Sequence, residues 1–280
     1  MQDSSQGVIA LLTQPVAGNP AQFVIERALA AWGWDTRFLS LEVSPDSLAA
    51  AIAGAWAMGF RGLHLDDPHR ESVVSLATTT SDSAARTQVA NCLVRDTDGW
   101  RATNTLGAGV VAALTNLGPL TGKRVVLLGA GKLARSVAAE LATTGIARLL
   151  VVNRTQERGE ALSALMRDAY HLDCTYDRWE QPLAIPDDCD VLVNATSIAS
   201  NDPHARVPLR VETLRRETIV ADATMHPTTQ LLRDARAQGC PTVDGLAIYV
   251  RHVAASLALW TGRKPDLAIM REALEEFLEL

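Results

Sequence analysis

Lysine is scarce in this sequence: only Lys123, Lys132 and Lys264 stand among its 26 basic residues. Any chemistry that needs an amine as proton acceptor or nucleophile therefore has few candidates. There is no basic run either, and the formal net charge of -6 argues against nucleic acid as the main partner. Cysteine is sparse: Cys92, Cys174, Cys189 and Cys240 lie far apart and share no CxxC spacing. That argues against a disulfide framework or a cysteine zinc site and for reduced thiols. Long hydrophobic runs are missing too. The first apolar run, Val8 to Leu12, follows Asp3 with no basic residue before it and is too short for a signal peptide or a membrane span. The expectation is a cytoplasmic protein without a membrane partner.

What is present is ordinary for a globular chain: 280 residues, 48% hydrophobic and 21% charged, enough for two domains. Strand and helix patterns alternate. Val8–Leu12, Thr36–Val43 and Gly62–Leu65 read as strands, with helices at Pro20–Trp34 and Pro45–Met58 between them. Cys92–Val94 and Trp100–Asn104, joined through Asp98-Gly99, read as a hairpin. A second α/β unit follows Gly107, with strands at Lys123–Leu128, Arg148–Val152, Asp190–Val193, Thr218–Ala221 and Pro241–Val243 and a helix at Lys132–Thr144. Ile248–Thr261 and Asp266–Leu280 have helical apolar spacing, and Asp173–Asp188 reads as an irregular surface excursion. The fold class is α/β with mostly parallel sheets.

One motif carries chemistry on its own. Gly129-Ala130-Gly131-Lys132-Leu133-Ala134 follows a strand and opens a helix, the setting of a dinucleotide pyrophosphate loop. Gly129 permits the tight turn, Gly131 lets backbone approach the pyrophosphate, and Ala134 is the third small position. Free N–H groups at the helix start then face phosphate. At the end of the next strand, where NAD-binding folds place a carboxylate for the ribose, stand Asn153, Arg154 and Thr155, with Arg158 one turn on. Guanidinium groups there suit a 2′-phosphate, so the expected cofactor is NADP.

With those motifs in view, Asp190 to Ser197 (DVLVNATS), Asp244-Gly245-Leu246, Ala254-Ala255-Ser256 and Leu259-Trp260-Thr261-Gly262 complete a pattern that resembles the shikimate dehydrogenase family. The resemblance implies an N-terminal substrate domain (1–106 with 247–280) and a Rossmann-type NADP domain (107–246), with C-terminal helices returning to the first and substrate in the cleft between. It implies Thr196 and Gly245 on the nicotinamide side, and a place in aromatic amino acid biosynthesis.

The substrate half departs from the family pattern. The stretch Pro15 to Pro20 lacks the two serines that grip the substrate carboxylate in the family. Where the family has its catalytic lysine the chain has Arg70, and Asp66 replaces a substrate-binding threonine; Leu106 replaces the aspartate that pairs with the lysine. Asn91 matches a substrate-contacting position. Arginine stays protonated and is a poor proton acceptor, so His252 is the candidate for proton transfer, with Arg70 anchoring an anionic substrate. The alternative is that His64, His69, His226 and His252 are packing or surface residues. A metal site from His64, Asp66 and His69 lacks a further ligand, and none is expected. The function expected is hydride transfer between NADP(H) and a cyclic hydroxy acid or ketone, shikimate or an altered relative. The alternative is an inactive NADP-binding paralogue serving as sensor or scaffold. A homodimer is compatible with either.

Overall fold

A computed structural model describes residues 7–280; the segment around Asp3 lies outside them. The chain divides into two compact units, one of Met1–Thr105 with His252–Leu280 and one of Leu106–Arg251.

In the first unit the elements run β1 (Gly7–Thr13), α1 (Ala21–Ala31), β2 (Thr36–Glu42), α2 (Leu48–Ala57), β3 (Gly62–Leu65), α3 (Val73–Leu76), β4 (Thr79–Thr80), α4 (Asp82–Thr87), β5 (Cys92–Arg95) and β6 (Trp100–Thr103). They make a six-stranded sheet in the order β2-β1-β3-β5-β6-β4. Its β1–β2, β1–β3 and β4–β6 pairs are parallel, and its β3–β5 and β5–β6 pairs antiparallel. The Asp98-Gly99 turn joins the last of these, with Gly99 at φ +154°, where only glycine is relaxed.

The second unit holds α5 (Leu106–Thr115), β7 (Arg124–Leu128), α6 (Lys132–Thr143), β8 (Arg148–Asn153), α7 (Gln156–Tyr170), β9 (Cys174–Arg178), β10 (Leu183–Ala184), β11 (Val191–Asn194), β12 (Leu209–Arg210), β13 (Ile219–Asp222), α8 (Gln230–Ala237) and β14 (Thr242–Val243). Its main sheet has the order β14-β13-β11-β7-β8-β9, parallel throughout. That is the doubly wound dinucleotide order, and its switch point lies between β7 and β11. The central strands are apolar on both faces, as helix-covered parallel strands must be.

Part of the stretch read as irregular from sequence is thus ordered: Cys174–Arg178 is the edge strand β9. Cys174 and Tyr176 alternate with Thr175 and Asp177, but the run is short and polar, as an edge strand tolerates. α7, unread in the sequence, sits where Gly159 receives the Tyr176 ring; a Cβ there would collide with it.

The chain closes with α9 (Gly245–Thr261) and α10 (Leu267–Phe277), and the unit boundary falls inside α9, at 251/252. α10 packs on α1 through Phe23 and Phe277, 6.0 Å between ring centroids, and through Arg27–Glu276 at 2.7 Å. Among the described residues no helix is long and apolar enough to cross a membrane. All four cysteines are free and buried.

Candidate functional site

Two constellations stand out, one in each unit. In the second, the loops after β7 and β11 meet at the switch point. Gly129 has φ +107°, and a Cβ on it would lie 3.0 Å from the Ala195 carbonyl oxygen, so both conformation and space demand glycine. Ala130 and Ala134 are buried in the unit's core. Gly131 caps α6 without any side-chain hydrogen bond, and a Cβ there would meet nothing within 4 Å. The first amides of α6 thus have no side chain of their own capping them, and Gly131 leaves open space in front. These features fit a pyrophosphate. Lys132 and Leu133 form the first turn of α6.

At the tip of β8, Asn153 Nδ2 donates to the Thr155 carbonyl at 2.7 Å, and the Asn153 carbonyl accepts from Tyr176 Oη at 3.1 Å. Thr155 caps α7 without a side-chain bond. Arg154 and Arg158 are exposed, and neither makes an ion pair or hydrogen bond among the described residues. Two unmatched guanidinium groups beside a glycine loop suit a phosphate monoester. Across the switch point Thr196 is held by Asn194, whose Oδ1 accepts from its amide and its hydroxyl at 3.1 and 2.7 Å. Asn194 Nδ2 donates to buried Asp222 at 3.0 Å, and Asp222 accepts from Thr229 at 2.6 Å. This network under the loop was not read from sequence; Asn194 ends β11 and Asp222 ends β13, and only the sheet brings them together. Gly245 plays a packing role: a Cβ on it would collide with the Thr224 carbonyl, so α9 begins against that backbone.

The second constellation lies in the first unit, at the carboxyl end of β3. Alternation along β3 sends Leu63 and Leu65 into one core cluster and leaves Gly62 and His64 on the other face. α9 covers that face with an i, i+4, i+8 stripe. Trp260 sits on Gly62 and donates Nε1 to the Leu93 carbonyl at 2.9 Å. Ser256 lies 2.9 Å from Thr105 Oγ1. His252 stacks on His64, centroids 5.9 Å apart and planes 18° apart, while Trp260 meets His64 edge-on at 6.1 Å. Burial pushes His64 down to about 4, aided by Arg70 and opposed by Asp66. Burial, with His64 and Arg70, holds His252 well below 6.5. Both imidazoles are therefore neutral at physiological pH.

Beyond β3 the chain turns through Asp66 to Arg70. Arg70 Nη2 lies 2.8 Å from Asp66 Oδ1, and Nη1 is 3.7 Å from Asp67 Oδ2. Asp66 also accepts from the Asp67 amide at 2.7 Å and from Asn19 Nδ2 at 2.9 Å. Burial acts to raise the Asp66 carboxyl, but Arg70, His64 and these donors outweigh it and hold it below its ordinary range. Asn19, which also accepts from the Ala21 amide at the start of α1, was not singled out from sequence; an Asn just before a helix was the available signal.

The other expected residues divide clearly. Asn91 is fully buried; it donates to Thr105 Oγ1 at 2.8 Å and accepts from the Thr105 amide at 2.7 Å. Its carboxamide thus holds the chain just after β6. His69 bonds the Val43 carbonyl at 2.8 Å, and His226 accepts from the Thr228 amide at 3.1 Å, both local structural tasks. Leu106 is buried at the start of α5. Lys264, the first unit's lone lysine, is exposed in the α9–α10 turn. No group of three or more His, Cys, Asp or Glu among the described residues is placed to hold a metal ion.

Residues 11–93 match the family described as shikimate dehydrogenase substrate binding domain, and residues 111–227 match shikimate / quinate 5-dehydrogenase. The chain is 34% identical to the shikimate dehydrogenase (NADP(+)) of Moorella thermoacetica over 282 residues, 98% of this chain and 94% of that one. It superposes on the ligand-free 5-ketofructose reductase of Gluconobacter sp. strain CHM43 with a TM-score of 0.95 at 34% identity, covering 97% of this chain and 99% of that one. Against the shikimate 5-dehydrogenase of Thermus thermophilus, solved with NADP(H) and shikimate, the TM-score is 0.85 at 29% identity, covering 97% and 100%. A two-domain α/β fold with a Rossmann-type NADP-binding domain defines the class. The chain belongs to the shikimate dehydrogenase family.

Proposed function

We propose that the protein is an NADP(H)-dependent oxidoreductase of the shikimate type, acting in the cytoplasm on a hydroxyl or ketone of a small cyclic substrate. The observation that carries this reading is the pairing of an open Gly129-Ala130-Gly131 loop with the unmatched Arg154 and Arg158. Gly129, Ala130, Gly131, Lys132 and Leu133 would hold the pyrophosphate, and Asn153, Arg154, Thr155 and Arg158 the adenosine phosphate. Thr196 would lie toward the nicotinamide, with Gly245 behind it. NADP(H) supplies or accepts the hydride when bound. His252, neutral at physiological pH, takes the hydroxyl proton in the oxidative direction. Arg70, kept charged and oriented by Asp66, polarises the reacting oxygen. Asn91 acts from behind by fixing Thr105. A purely non-catalytic role is not favoured by relatives that are themselves dehydrogenases and a reductase.

Titration with NADPH and NADH tests the cofactor assignment. Arg154→Ala with Arg158→Ala is expected to weaken NADPH by about 10- to 100-fold, the worth of one or two charged hydrogen bonds, and to leave NADH unchanged. Equal losses for both nucleotides would overturn the 2′-phosphate contact. Turnover is tested with His252→Phe, expected to lower kcat by about 10²–10⁴. An unchanged kcat would remove His252 from the chemistry.

A further inference from the structure

Leu128, Asn194 and Asp222 end three neighbouring strands of the second unit and stand opposite one another in register. Gly129 follows the first of them. A Cβ on it would lie 3.3 Å from Thr196 Cγ2, so Thr196 borders the glycine loop. With the adenosine phosphate on Arg154 and Arg158 past β8, as proposed above, a dinucleotide crossing the switch point lays its other half over the tips of β11 and β13.

Asp222 is fully buried at that point, with three hydrogen-bond donors and no cation among the described residues. Burying a carboxylate without a cation is costly. What it supplies, and an amide or hydroxyl does not, is acceptance at both oxygens. Oδ1 accepts from Asn194 Nδ2 and from the Thr224 amide, each at 3.0 Å, and Oδ2 accepts from Thr229 Oγ1 at 2.6 Å. Asn194 therefore turns its nitrogen to Asp222 and its oxygen to Thr196, where Oδ1 takes both the amide and the hydroxyl proton. The Thr196 hydroxyl has then given away its one proton. It accepts from the Ile198 amide at 3.2 Å, which leaves Oγ1 with one acceptor position and no donor. The same carboxylate ties two loops together, because Thr224 also donates its hydroxyl to the Ile198 carbonyl at 3.2 Å.

Resting on the NADP(H) reading above, we propose that Asp222 is a positioning residue for the nicotinamide half of the cofactor. Acting through Asn194, it commits Thr196 Oγ1 to accept a hydrogen bond from an N–H or O–H of the nicotinamide nucleoside. The donors that half carries are the carboxamide NH2 and the ribose hydroxyls. Thr196 touches the cofactor; Asp222 touches only protein.

Three probes separate the parts: NADPH, 2′-phospho-ADP, which lacks the nicotinamide nucleoside, and the acetylpyridine analogue of NADPH, which has a methyl in place of the amide NH2. Calorimetric titration of Thr196→Val is expected to show NADPH weakened by about 3- to 15-fold, the worth of one hydrogen bond, with 2′-phospho-ADP unchanged. Thr196→Ser, which keeps the hydroxyl, is expected to bind NADPH like the wild type. If Thr196→Val binds the acetylpyridine analogue as well as the wild type does, the donor is the carboxamide; a loss as large as that for NADPH assigns it to the ribose. Asp222→Asn keeps the shape but has one acceptor oxygen where two are used. It is expected to weaken NADPH by about 3- to 10-fold, to spare 2′-phospho-ADP, and to add nothing in the Thr196→Val background. Asn194→Ala, which removes the relay, serves the same cycle where Asp222→Asn does not fold. Unchanged NADPH binding in Thr196→Val, equal losses for NADPH and 2′-phospho-ADP, or additive effects at 196 and 222 would each overturn the proposal. Failure of the wild-type protein to bind NADPH would instead count against the cofactor reading on which it rests.

Discussion

His64 and His252 show what one residue can contribute when burial decides its charge. His64 is lowered to about 4, so the unfolded chain takes up a proton near 6.5 that the folded protein refuses until far lower pH. The stability it contributes is fully present above about 6.5 and is lost as pH falls toward 4, by about 3 kcal/mol for this side chain. His252 acts in the same direction, and Asp66, lowered, adds a loss below the ordinary carboxylate range. Urea midpoints between pH 7.5 and 4.5 should therefore fall, and fall less in His64→Phe; an identical slope in the variant would refute the assignment. Asn91 offers a second case. Removing its carboxamide in Asn91→Ala leaves the Thr105 amide without its buried acceptor, at an expected cost of about 1–3 kcal/mol in chemical denaturation.

At the scale of elements, the same amino acid serves opposite purposes at two helix starts. Gly131 begins α6 facing open space, and Gly245 begins α9 against the Thr224 carbonyl. Gly131→Ala should change stability by no more than about 1 kcal/mol, because the position is a helix cap with room for a methyl. It should nevertheless weaken NADPH binding severely, since the methyl would occupy the place proposed for the pyrophosphate. Gly245→Ala should cost about 1–3 kcal/mol or more in stability whether or not nucleotide is present. Thermal melts with and without NADPH distinguish the two. Both glycines were legible in the sequence as part of motifs. What a Cβ would meet at each was not, because the open space at Gly131 and the Thr224 carbonyl at Gly245 are set by loops that the fold alone brings near. α7 and β9 were missed for a related reason: charged and polar residues dominate both, and their burial partners are each other, through Gly159 and Tyr176.

For the molecule as a whole, ligand linkage gives the broadest test. A nucleotide that binds only the folded protein stabilises it by about 2.7 kcal/mol at a hundred times its Kd. NADPH should raise the melting temperature accordingly, and NADH at the same concentration far less. Equal shifts would mean that the arginines past β8 do not read the phosphate. The overall charge of -6 neither helps nor forbids this, because the two arginines, both exposed, would act locally.

Residue order by itself determined the two-domain α/β plan, the glycine loop between β7 and α6, the missing carboxylate at the tip of β8 and the family. Each is a local pattern of a strand, a turn and a helix, set by backbone conformation and near neighbours. Tertiary structure decided the rest. It set His252 against His64, put Thr105 between Asn91 and Ser256, and closed Arg70 onto Asp66 and Asp67. The charge state of an imidazole depends on how completely water is removed from it, and the availability of a guanidinium depends on whether a carboxylate already faces it. Neither quantity exists until α9 has packed on β3 and the chain after β3 has turned back on itself.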